Sequence, residues 1–116
     1  MSIYVQNILS KRSGKPVANQ FVINVEGVSL FQSYSTVIVR IERHGKVYLD
    51  RNDWNCSNTT SKYRNIFLNE DTASTHRKIE SGEYTLTNLN NSKDNFYTKK
   101  GLNDMQLNKK GLINYE

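Results

Sequence analysis

Residues 20–49 alternate in a period of two, broken at two places by pairs suited to tight turns, and this stretch must form strands and hairpins. Phe21, Ile23 and Val25 alternate with Val22, Asn24 and Glu26. Glu26-Gly27 then supplies a turn in which glycine takes a positive φ, and the strand pattern resumes over residues 28–34. The strongest strand signal lies at residues 36–42, where Val37, Val39 and Ile41 are expected on one face and Ile38, Arg40 and Glu42 on the other. His44-Gly45 turns the chain, and Val47-Tyr48-Leu49 runs back as the partner. Two successive hairpins make an antiparallel meander whose apolar face needs a cover.

The cover is expected from two helices beyond Asp53. Residues 54–68, W-N-C-S-N-T-T-S-K-Y-R-N-I-F-L, hold the single tryptophan and the single cysteine. Their Ser/Thr-rich run suits a helix N-terminus, where hydroxyls accept hydrogen bonds from free N–H groups. Tyr63, Ile66 and Phe67 then share a face by their spacing, which assigns them with Trp54 to the core and turns Lys62 and Arg64 outward. A second helix is expected over residues 72–81, capped by Asp71 or Thr72 and stopped by Gly82, with Arg77 and Lys78 in its last turns. A last short strand follows at residues 84–89. Residues 2–9 read as a short strand or an irregular lead. Residues 91–116 have no sustained period and read as a polar basic tail or loosely attached extension, with a short edge strand near 112–115 as the alternative. The expected fold is one α+β domain over residues 1–90, a four- or five-stranded antiparallel meander sheet covered by two short helices. A chain of 116 residues has room for one such core.

Chemistry-bearing clusters are scarce. Two histidines and one cysteine exclude a four-ligand zinc site built of Cys and His. His76 with Glu80 and either Asp50 or Asp53 is the weaker metal arrangement available, and Cys56 reads as a packed small hydrophobe rather than a nucleophile. With no glycine-rich phosphate loop and no distinctive carboxylate pair, the expectation is a protein that is not an enzyme and carries no cofactor or metal. The N-terminus lacks a signal-peptide pattern, and no apolar run reaches membrane-spanning length, so the chain reads as soluble and cytoplasmic. Asn58-Thr59-Thr60 and Asn90-Asn91-Ser92 match the glycosylation pattern and are read as coincidence.

Charge carries the functional expectation. Sixteen Lys and Arg against eleven Asp and Glu give +5, compatible with nucleic acid, an acidic protein face or anionic lipid. Lys62 and Arg64 follow the hydroxyl-rich helix start, where N–H groups, hydroxyls and cations converge on an anion. With Arg77 and Lys78 on the second helix, and Lys11, Arg12 and Lys15 in the K-R-S-G-K-P loop, they form the expected partner or nucleic-acid binding surface.

Three blocks resemble a small family of uncharacterised phage and mobile-element proteins. They are F-Q-S-Y-S-T-V-I at 31–38, D-W-N-C-S-N-T-T-S-K-Y-R-N-I-F-L at 53–68 and R-K-I-E-S-G-E-Y-T-L-T-N-L at 77–89. They are similar to the patterns F-x-S-Y-x-T, W-x-x-S-x-T-x-x-K-Y-R-x-x-F-L and K-I-x-S-G-x-Y-x-L, with Cys56 at a position often aromatic there. The resemblance spans roughly residues 17–90 and implies a phage origin but no biochemical activity. By analogy it points to a stoichiometric inhibitor or modulator of a host nucleic-acid-handling or defence system, anti-CRISPR-like in its mode of action. The alternative is a small nucleic-acid-binding accessory protein. A DNA mimic would be acidic, so a basic inhibitor would bind an acidic protein face, or the RNA or DNA within a nucleoprotein.

Overall fold

The structure, a computed structural model, describes residues 3–90. Six strands, β1 (Ile3–Leu9), β2 (Pro16–Val25), β3 (Val28–Ser33), β4 (Thr36–Ile41), β5 (Val47–Asp50) and β6 (Tyr84–Thr87), form one sheet in sequence order. Two helices, α1 (Asn58–Leu68) and α2 (Thr72–Glu80), lie between β5 and β6 in the chain. The α+β class and the meander are as expected; the strand count and the uniform antiparallel order are not. The lead at the N-terminus is a full edge strand, paired from Ile3↔Val25 to Asn7↔Phe21. The last strand runs parallel to its neighbour, in register Val47↔Tyr84 to Asp50↔Thr87. A hairpin cannot join parallel strands, so the helix pair serves as the crossover connection. The extension expected beyond residue 90 lies outside the described residues.

Local chemistry explains the turns and caps. Val25 pairs with Val28, which leaves Glu26 (φ 49°) and Gly27 (φ 87°) as a two-residue loop with both φ positive, the geometry that matches strand twist. The Ser57 side chain caps α1 by accepting from the Thr60 N–H at 3.1 Å. Asp71 caps α2 by accepting from the Ser74 N–H at 2.8 Å, and Gly82 (φ 86°) follows that helix's end.

One β-bulge overturns the facing expected for β4. Phe31 pairs with Val39 but Gln32 pairs with Val37, so Ile38 is an extra residue opposite Phe31. Val37, Ile38 and Val39 are consequently all buried. Val37 joins Ile23, Val25, Val28, Leu30 and Leu89 in one apolar cluster, while Ile38, Val39 and Ile41 join Phe31 and Leu49 in another. Because neighbours along β2 and β3 divide between the clusters, the two lie on opposite sheet faces. Trp54, Tyr63, Ile66, Phe67 and Ile79 pack on the second, so the helices cover that face. Phe67 stacks on Phe31 with centroids 5.8 Å apart, and the helix aromatics are half-buried rather than fully enclosed.

Candidate anion-binding cleft

The seven cations expected on one surface separate into different roles. Arg64 is the clearest correction: it is fully buried, and Thr60 and Arg64, four apart, are the two buried residues of α1. Its Nη1 donates to the Trp54 carbonyl and to Asn55 Oδ1, and its Nη2 to Asn65 Oδ1 and Thr72 Oγ1, both at 2.9 Å. The guanidinium also lies 5.0 Å from the Trp54 ring. It ties the loop before α1 to the start of α2. Burial lowers its pKa, and the charge of Glu70 opposes that. Arg64 turns inward although Lys62 does not, because the two leave the Tyr63 direction on opposite sides and only one side faces solvent.

Lys78 is held within the fold by a 2.7 Å ion pair with Glu70. Glu70 also accepts from Tyr84 Oη at 2.9 Å and Thr75 Oγ1 at 2.6 Å. Burial alone would raise the Glu70 carboxyl, but the hydrogen bonds from Lys78, Thr75 and Tyr84 together hold it below its ordinary value. Arg77 is exposed on α2 and donates to Ser74 Oγ at 3.0 Å. Lys15 is exposed in the loop between β1 and β2 and does not line the cleft described next.

Lys11, Arg12 and Lys62 are brought together. They are exposed, and with Ser10, Tyr63 and Ile66 they line a cavity of about 240 Å³ between that loop and α1. Lys11 and Lys62 also border an open hollow of about 650 Å³ that continues along α1 past Asn65 and Asn69 to Glu70 and Asp71. The loop is shaped by Ser10: its N–H donates to the Lys15 carbonyl at 2.8 Å, closing the base. Its Oγ accepts from the Arg12 and Ser13 N–H groups at 3.2 and 3.3 Å. Gly14, at φ 73°, turns the chain back and donates to the Ser10 carbonyl at 2.8 Å. Among the described residues none of the three cations has an ion-pair partner, and the Lys62 ammonium lies 5.3 Å from the Tyr63 ring. The smaller cavity thus offers two ammonium groups, a guanidinium and neutral polar groups to an anion, while the hollow beside it also presents the Glu70 and Asp71 carboxylates. Sequence reasoning missed Ser10, Asn65 and Asn69 as neighbours of these cations, since no spacing links a loop at residue 10 to a helix at residue 62.

One further expectation is corrected. Cys56 is exposed rather than packed, with its Sγ 3.8 Å from Thr60 Oγ1. His76 is also exposed and meets the Trp54 ring edge-on at 4.9 Å. Among the described residues no group of three or more His, Cys, Asp or Glu stands where it could hold a metal ion. No helix among them is long and apolar enough to cross a membrane.

No curated protein and no solved structure matches the chain. A family model described as a family of unknown function, DUF8033, matches residues 3–83, more than half of the sequence. The chain, with its bulged six-stranded sheet and helical crossover, therefore belongs to that family.

Proposed function

We propose that this protein works by stoichiometric binding rather than catalysis, and that the cleft of Lys11, Arg12 and Lys62 receives the anionic group of its partner. The observation that carries this reading is the convergence of three exposed cations, from segments fifty residues apart in the chain, on one cavity that no described carboxylate neutralises. Like charges held close raise one another's energy, and a bound anion relieves that cost. Taken with the phage resemblance, the reading is a phage accessory protein acting in the host cytoplasm. There it inhibits or modulates a host nucleic-acid-handling or defence complex, in an anti-CRISPR-like manner. Arg77 and Lys15 are exposed as well but line neither the cavity nor the hollow, and they stand outside the proposed site.

The test is a double charge reversal, Lys11→Glu with Lys62→Glu, preceded by circular dichroism to establish the wild-type fold. Capture from host lysate, with and without nuclease treatment, then compares the variant with the wild type. Loss of a partner retained after nuclease treatment supports the inhibitor reading. Binding abolished by nuclease favours a nucleic-acid-binding accessory protein, with the salt slope falling by about one unit per lost phosphate contact. A folded variant that keeps every partner overturns the assignment of the cleft.

A further inference from the structure

Three of the four exposed large hydrophobic residues in the described structure, Tyr4 (58%), Val5 (39%) and Leu9 (56%), sit on one strand at the sheet's edge. That strand, I-Y-V-Q-N-I-L, contains no charge and no proline, and the one irregularity of its ladder to β2 lies at its end, between Asn7 and Leu9. Edge strands present a row of unpaired N–H and C=O groups, and folded proteins ordinarily blunt them with charges, proline, bulges or short length. The opposite edge is blunted: β6 has four residues, none exposed. Among the described residues only β2 pairs with β1, so its outer backbone groups face away from the sheet.

We propose that the outer edge of β1 is a self-association surface, pairing antiparallel with β1 of a second copy about a two-fold axis at Gln6. The strand's own sequence selects a second copy. In that register Ile3 lies opposite Leu9, Tyr4 opposite Ile8 and Val5 opposite Asn7, so two of the three pairs on each side of the axis match apolar with apolar, and the uncharged strand sets no like charges opposite each other. The result is a continuous sheet of two copies, with the helices of both on the same face.

Sedimentation analysis of the full chain over a dilution series tests this, with Gln6 as the lever because it is exposed and would face its own copy. Wild type is expected to move reversibly between one and two chain masses. Gln6→Lys sets like charges opposite each other and is expected to weaken the dimer about fivefold or more. Gln6→Glu behaves the same way alone, and an equal mixture of the two variants restores dimers. Circular dichroism matching wild type shows that the variants fold. Wild type at single-chain mass throughout, Gln6→Lys dimerising like wild type, or a mixture no better than either variant would each overturn the proposal.

Discussion

The Asn90 side chain completes the backbone hydrogen bonding of Val37, 53 residues earlier in the chain: its Oδ1 accepts from the Val37 N–H at 2.8 Å and its Nδ2 donates to the Val37 carbonyl at 3.0 Å. Val37 begins the bulged part of β4, where the ladder to β3 slips by one residue, and it is itself fully buried. Asn90 is positioned by Asp50, whose Oδ1 accepts from the Leu89 N–H at 2.9 Å and from Asn90 Nδ2 at 3.0 Å. The amide thus pins the chain leaving β6 to β4, and a buried peptide group left without partners is costly. Asn90→Ala is expected to lower stability by about 1–3 kcal/mol, read as a lower urea midpoint at an unchanged slope.

Arg64 is a buried cation whose described hydrogen-bond acceptors include no carboxylate, and its Nε has no partner. Arg64→Ala removes the donors from four acceptors around the α1–α2 junction and is expected to cost about 3 kcal/mol or more. Arg64→Lys recovers little of this, because a point ammonium cannot reach acceptors on both sides as the planar fork does. Thermal melting of the two variants beside wild type checks both statements. A lysine variant as stable as wild type would show that charge rather than fork geometry holds the junction.

Glu70 makes stability sensitive to acid. Its carboxyl sits below the ordinary value of 4.5, so the unfolded chain binds a proton more readily than the folded one. The contribution is present above that ordinary value and is lost as pH falls through the lower folded value. Asp53 works in the opposite sense: burial, then its hydrogen bond and repulsion with Asp50, raise it, so acidification relieves a cost in the folded state. Glu70→Gln should therefore flatten the acid limb of the stability profile, measured by urea titration from about pH 6 down to about pH 3. An acid limb of unchanged steepness in that variant would mean other carboxylates govern it.

Phe67 is half-buried and stacked on Phe31 at an interplanar angle of 26°. A fully enclosed phenylalanine costs about 3–5 kcal/mol on truncation, and one that keeps part of its ring in water costs less. Phe67→Ala is expected at about 2–3 kcal/mol, whereas Phe31→Ala, at a site with no exposure, belongs in the full range. Equilibrium unfolding of the two variants side by side gives the comparison, and equal losses would contradict the difference in burial.

Signals carried by near neighbours were legible in the chain. The Glu26-Gly27 turn, a cap within the Ser/Thr-rich run, a cap at Asp71 or Thr72 and the Gly82 stop depend on interactions within a few residues, and the structure contains them, with Ser57 and Asp71 as the caps. The period-two pattern located five of the six strands outright, but period two has no direction and carries no warning of an inserted residue. That β6 runs parallel to β5 is decided by where the helix pair returns the chain, and that Ile38 bulges is decided by the pairing of β4 with β3. The same limit applies to the cations. Helical spacing sets the angle between Lys62 and Arg64, but packing against the Trp54 loop and α2 rolls α1 so that Arg64 turns inward. Lys62 faces Lys11 and Arg12 for the same reason. The sequence determined the elements and their ends because those rest on local hydrogen bonds and backbone preferences. Only the tertiary structure decided which charges meet, because that rests on contacts between segments fifty residues apart.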